Sequence, residues 1–152
     1  MARLKVLAFD YAIAGGPGAR AVPCALAQQG GMLLQALLAD LGAVPEVELH
    51  TMPAAGEAGW HADAAPGGRA FDERFADCVQ AADAVWPLAM ETEGLLEALS
   101  RDVLRGKRVL LGSAPGAVRV ASSKREMARA LLDASVPAVP TYGPHASLPD
   151  GA

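Results

Sequence analysis

Carboxylates and hydroxyls that terminate apolar runs are the residues of this sequence best placed for chemistry. Asp10 closes the run Leu4–Phe9 and leads into Tyr11 and the stretch Ala14-Gly15-Gly16-Pro17-Gly18. Glu91 and Thr92 follow Ala84–Ala89, with Gly94 behind them, and Gly112, Ser113 and Pro115 follow Arg108–Leu111. An acid at the point where a strand hands over to a helix can face a ligand crevice. It can equally be a first-turn acid favoured by the helix dipole. Both readings stand for Glu91, and for Asp10 the end of a central strand favours the crevice. For Ser113 the common role is an N-cap of the helix that follows.

Cations and imidazoles add little to this set. Lys124 and Arg125 fall in the first turn of a helix, where they oppose the macrodipole; an anion would relieve that, and a solvated surface pair explains it as well. His50, His61 and His145 are scattered without ligand spacing, so no metal site is expected. No nucleophile elbow and no Walker loop is present. Gly16-Pro17-Gly18-Ala19-Arg20-Ala21 fits the glycine pattern of a dinucleotide fold, but three features oppose it. The turn after Phe9 is too long, two prolines interrupt the fingerprint, and the second strand ends in His50-Thr51, not in an acid for the ribose. The glycines then serve a permissive loop, either beside a ligand or purely structural.

These residues need strands to bring them to one rim. Five short apolar runs read as strands: Leu4–Phe9, Val47–Thr51, Ala84–Ala89, Arg108–Leu111 and Ala138–Thr141. The first and fourth are nearly continuous apolar runs, as expected where both faces are covered. Pro87 cannot donate to a ladder and marks an edge, a bulge or a strand end. Four helical stripes separate the strands. Leu26, Gly30, Leu33, Leu34, Leu37, Leu38 and Leu41 step by three and four, with Gly42 as the expected C′ residue. Phe71, Phe75, Cys78, Val79 and Ala82 form the second stripe, and Leu95, Leu96, Leu99 and Val103 the third, begun by Thr92. Ser123 and Glu126, spaced as a capping box, open the fourth. This alternation predicts an α/β domain over residues 1–142: a doubly wound, mostly parallel, Rossmann-like sheet of about five strands with helices on both faces. Ligands of such sheets bind beyond the strands' carboxyl ends. Met52–Arg69 reads as a long loop, and residues 143–152 as a linker to a further domain.

Bulk composition narrows the partners. Of 152 residues, 52% are hydrophobic and 20% charged, which suits a globular domain with its own core. The formal net charge of -4, with no basic run longer than two residues, argues against a nucleic-acid partner. The longest apolar helical stretch, Met32–Leu41, is too short for a bilayer span, so no membrane partner is expected. Cys24 and Cys78 lack metal or redox spacing, and with no leader visible a cytoplasmic location is expected.

Several blocks, taken in order, resemble the N-terminal domain of the ATP-grasp ligases, closest to the group that includes tyramine–glutamate ligase of methanofuran biosynthesis. They are Phe9-Asp10-Tyr11 with Gly15-Gly16; Gln29-Gly30-Gly31-Met32-Leu33; Ala82-Asp83-Ala84-Val85-Trp86-Pro87-Leu88-Ala89-Met90-Glu91-Thr92; Leu110-Leu111-Gly112-Ser113-Ala114-Pro115 with Ser122-Ser123-Lys124; and Val136-Pro137-Ala138-Val139-Pro140-Thr141. Met90, Ser123 and Gln29 stand where that group usually has Pro, Asp and Glu. The resemblance implies a substrate-side domain whose partner is an ATP-grasp core, in cis or as a separate chain, with a homodimer also allowed. It implies ATP and magnesium in the complete enzyme and a small carboxylate or amine substrate. On it, Asp10, Gly15, Gly16, Gln29, Gly30, Glu91, Thr92 and Ser113 become substrate-side positions, and Lys124 reaches ATP phosphates as a point charge. The alternative on the same fold is a stand-alone small-molecule binding or regulatory module, and a dinucleotide-binding protein ranks third.

Overall fold

A computed structural model describes residues 2–52, 71–90 and 93–143. Strand and helix alternate along them: β1 (Leu4–Asp10), α1 (Cys24–Gly42), β2 (Val47–His50), α2 (Phe71–Ala81), β3 (Ala84–Leu88), α3 (Leu95–Arg105), β4 (Val109–Leu110), α4 (Pro115–Ser122) and α5 (Lys124–Asp133). A 3-10 turn at Ala19–Ala21 precedes α1. All pairings among the four strands are parallel, in the order β2-β1-β3-β4. The expected doubly wound α/β architecture is therefore present.

β1 sits inside the sheet because it is apolar on both faces: Val6, Leu7, Ala8 and Phe9 are each 1% exposed or less. The chain leaves β1 toward β2 on one side, then crosses back past β1 to lay β3 on the other. Right-handed crossovers put α1 on one face and α2 with α3 on the opposite face. Side chains agree. Leu7, Phe9 and Val85 pack with Phe71, Phe75, Val79, Leu99 and Val103 in one core. The rings of Phe9 and Phe75 lie 5.4 Å apart, and those of Phe71 and Phe75 are stacked at 5.8 Å. The alternate residues of β1 face α1, whose Gly30 lies against Asp10.

Pro87 lies in an interior strand, and the ladder explains how. The carbonyl of Val85 accepts from Leu111 on the β4 side at 2.8 Å. Two residues on, Pro87 points the same way, past the last bond to β4, where no donor is missed. Of the three roles open to it, the strand end is the one it takes.

Four expectations need correction. Ala138–Thr141 does not form a fifth strand, because Pro137 and Pro140 supply no N–H and Val139 is 82% exposed with nothing to pair against. Gly42 closes α1 from within, since Ala43 behind it keeps right-handed geometry. Ser113 does not cap the next helix; Ala114 is its N-cap, with Pro115 at the first helical positions. That helix, α4, goes unseen in the sequence because Pro115-Gly116 reads as a breaker. The capping box that opens α5 is half formed: Ser123 Oγ accepts from Glu126 N at 3.2 Å, while the Glu126 carboxylate pairs with Arg119. Met52 is buried in the core; the rest of the expected loop to Arg69, and Thr92 as a helix start, lie outside the described residues.

Candidate functional site

Winding reverses between β1 and β3, and at that switch point a crevice of about 880 Å³ opens beyond their carboxyl ends. One wall is the first three turns of α1, with Leu26, Gln29, Gly30 and Leu33. The opposite wall is the end of β3 with the two residues behind it, Pro87–Met90, and the approach to and start of α3 at Glu93–Leu96. Asp10, Tyr11 and the loop Pro17–Pro23 complete it. Most of the lining is apolar, with a few polar groups, the usual make-up of a small-molecule site.

Asp10 is the best-defined of these groups. Only 8% of it is exposed, and its Oδ1 accepts from Ala12 N at 2.9 Å and Ile13 N at 3.0 Å, which turns the chain sharply out of the strand. Oδ2 lies on the other side, facing α1. A Cβ on Gly30 would come within 3.0 Å of it, so glycine lets the helix approach the carboxylate closely.

The glycine loop is held from below. Tyr11 folds its ring back over Gly16, so closely that a Cβ there would lie 2.2 Å from the ring. The same ring meets Phe71 edge-on at 4.8 Å and donates its hydroxyl to the Pro17 carbonyl at 3.1 Å. Burial, helped by the Asp72 charge, raises the Tyr11 pKa above its ordinary 10.0. Arg74 reaches from α2 to the Ala14 carbonyl at 2.6 Å. Gly15 takes the left-handed conformation (φ 74°) that a side chain would strain. Gly15 and Gly16 therefore shape the loop, and neither lines the crevice.

The other sequence-derived positions divide. Gln29 and Gly30 reach the crevice with Asp10. Glu91 and Thr92 lie outside the described residues, although Met90 and Glu93 on either side of them line it. Ser113 is exposed after β4 and does not line the crevice; Lys124 is exposed in the first turn of α5, also away from the lining. Sequence reasoning missed Leu26 and Leu33, 40% and 58% exposed, which open onto the crevice instead of the core. It also missed Glu93, which adopts φ 54° just ahead of the left-handed Gly94. A non-glycine residue in that region costs about 1 kcal/mol or more, and such residues gather at functional sites. An acid beside Gly94 was the available signal.

Among the described residues no group of three His, Cys, Asp or Glu side chains could hold a metal ion, and no helix is long and apolar enough to cross a membrane. The described residues thus build no all-protein cage for a metal, and magnesium, usually held through one or two carboxylates and substrate phosphates, does not need one.

Fold and crevice together define a doubly wound α/β domain with an open crevice at its switch point. Residues 49–118, from the end of β2 into α4, match the family model described as the pre ATP-grasp 3 domain. That match supports an ATP-grasp-associated N-terminal domain and a role related to the ATP-grasp ligases. No curated protein and no solved structure shows a significant match to the chain.

Proposed function

We propose that this chain is the substrate-side domain of an ATP-dependent carboxylate–amine ligase. The observation that carries the reading is the crevice at the β1/β3 switch point, whose β3–α3 wall lies inside the segment matched by the pre ATP-grasp family. Such ligases activate a carboxylate as an acyl phosphate, which an amine then attacks. Phosphoryl transfer needs metal and cationic clamps aimed at the developing charge. The described residues do not build that set, so the chain's share is to bind and orient a substrate in a largely apolar crevice. Asp10, Gln29 and Gly30 act there directly. Gly15, Gly16 and Ser113 belong to the loops around the rim, and Glu91 and Thr92, which lie outside the described residues, are assigned to the substrate on the resemblance alone. Lys124, without an ion pair among the described residues, is the cation we assign to the phosphates of ATP bound on a grasp core. The order of blocks shared with the tyramine–glutamate ligase group supports a place in methanofuran- or tetrahydromethanopterin-linked biosynthesis.

The test is an assay of the tagged chain recovered from its native cells beside the chain purified alone. With magnesium, ATP and candidate amino acids and amines, the native preparation should release phosphate in a substrate-dependent way, and the isolated chain should not. Phosphate release by the isolated chain would overturn the reading. A second reading, a stand-alone binding module, is favoured by Ser123 and Gln29, which stand where the ligase group usually has Asp and Glu. Ligand binding with no hydrolysis in either preparation would select it.

A further inference from the structure

The crevice carries an unbalanced charge. Among the described side chains that line it, the ionisable acids are Asp10 at its floor and Glu93 at its rim, and none is a cation. Two helix N-termini also open on it, those of α1 and α3, and neither has a side-chain cap. Each is equivalent to roughly half a positive charge, so together they offset about one of the two carboxylates and leave the described lining negative. The floor carboxylate is also half occupied. Oδ1 of Asp10 holds two backbone N–H groups, whereas Oδ2 makes no hydrogen bond among the described residues and faces the α1 wall. Asp10 keeps 8% of its surface exposed and Oδ2 is not among the buried polar atoms that lack a partner, so this oxygen stays open to a charged donor in the crevice. Around it, Leu26, Leu33 and Met90 offer exposed apolar surface.

Resting on the reading of the crevice as a substrate site, we propose that it takes a protonated amine with an apolar body, and that Asp10 is the counter-charge. The ammonium donates to Oδ2 while the loop amides keep Oδ1 in place. The apolar body lies between the leucines of α1 and the Met90 segment. Gly30 is a positioning residue, because a methyl group there would lie 3.0 Å from Oδ2 and crowd an ammonium bound to it. The carboxylate substrate is then held outside this crevice.

A matched pair of probes tests this: benzylamine and benzoate, titrated into the intact chain near neutral pH and followed by amide NMR shifts. Benzylamine should shift the amides of Gly30 and Ala89 saturably, with benzoate weaker by about tenfold or more, the scale of one charge-assisted hydrogen bond. Asp10→Asn keeps an oxygen for Ala12 and Ile13, and should lose about tenfold for benzylamine with little change for benzoate. Gly30→Ala, a favourable change for a helix interior, guards against misfolding of the first variant and should weaken benzylamine selectively. Benzoate binding as tightly as benzylamine overturns the ammonium assignment but leaves a substrate crevice. Undiminished benzylamine binding in both variants overturns the role of Asp10. If neither probe moves the crevice amides, the site reading fails along with the inference.

Discussion

Gly16 and Tyr11 set the glycine loop by steric exclusion. The ring of Tyr11 cannot swing away freely, because Phe71 stands against one edge and the Pro17 carbonyl holds its hydroxyl. Gly16→Ala forces a Cβ into that ring, and overpacking of this kind costs about 1–3 kcal/mol. A lower urea midpoint with an unchanged slope is expected; an unaltered midpoint would mean the ring is loosely held. The same burial makes Tyr11 a reporter of folding. Its pKa is raised in the folded chain, so above 10.0 the unfolded chain loses the phenolic proton first. Stability from this group is intact below pH 10.0 and falls as pH rises through the higher folded value. The chain has two tyrosines, and Tyr142 is 42% exposed, so a Tyr142→Phe variant leaves Tyr11 alone to titrate by ultraviolet absorbance. A midpoint above 10.0 is expected, and one at or below it would contradict the burial.

Elements differ in how far their sequence announced them. β1 was plain because a strand covered on both faces must be apolar throughout; β4 read the same way, yet its Val109 is 60% exposed. The failed fifth strand shows the limit: Ala138–Thr141 has the right residues, but a strand exists only where a ladder partner meets its N–H groups, and its prolines withhold them. The stripe on α1 was legible as a period and misleading as a core. Leu26 and Leu33 belong to it, yet periodicity cannot say which part of a stripe meets a sheet and which lines a crevice. Asp10 was legible through its place at a strand end; the roles of Gly15 and Gly16 were not, because the ring that demands a glycine comes from the fold of the loop itself. α5 is the least anchored helix, with no buried residue, so its cap matters more to it than its packing. Ser123→Ala should cost about 1 kcal/mol at this helix start. Amides of Lys124–Asp133 should then exchange faster with deuterium while those of β1 keep their protection. Equal acceleration in both would show that α5 unfolds only with the whole domain.

At the scale of the whole molecule, one arrangement governs both stability and function. Because the winding reverses at β1, the strand carrying Asp10 is also the most buried strand, and the crevice floor inherits that rigidity. The same centrality has a cost in time. Val6 pairs with Ala84, so the strand made first lacks its inner neighbour until 78 more residues (84 − 6) are added. At roughly 5–20 residues per second of synthesis that is about 4–16 s. During that interval β1 has only β2 to pair with, through Leu4 to Leu7, and its other edge is open on the nascent chain. The sheet can begin as the β1–β2 pair but cannot close around its first strand until β3 is made. Its inner half condenses late, around a segment whose second partner is the last to reach it.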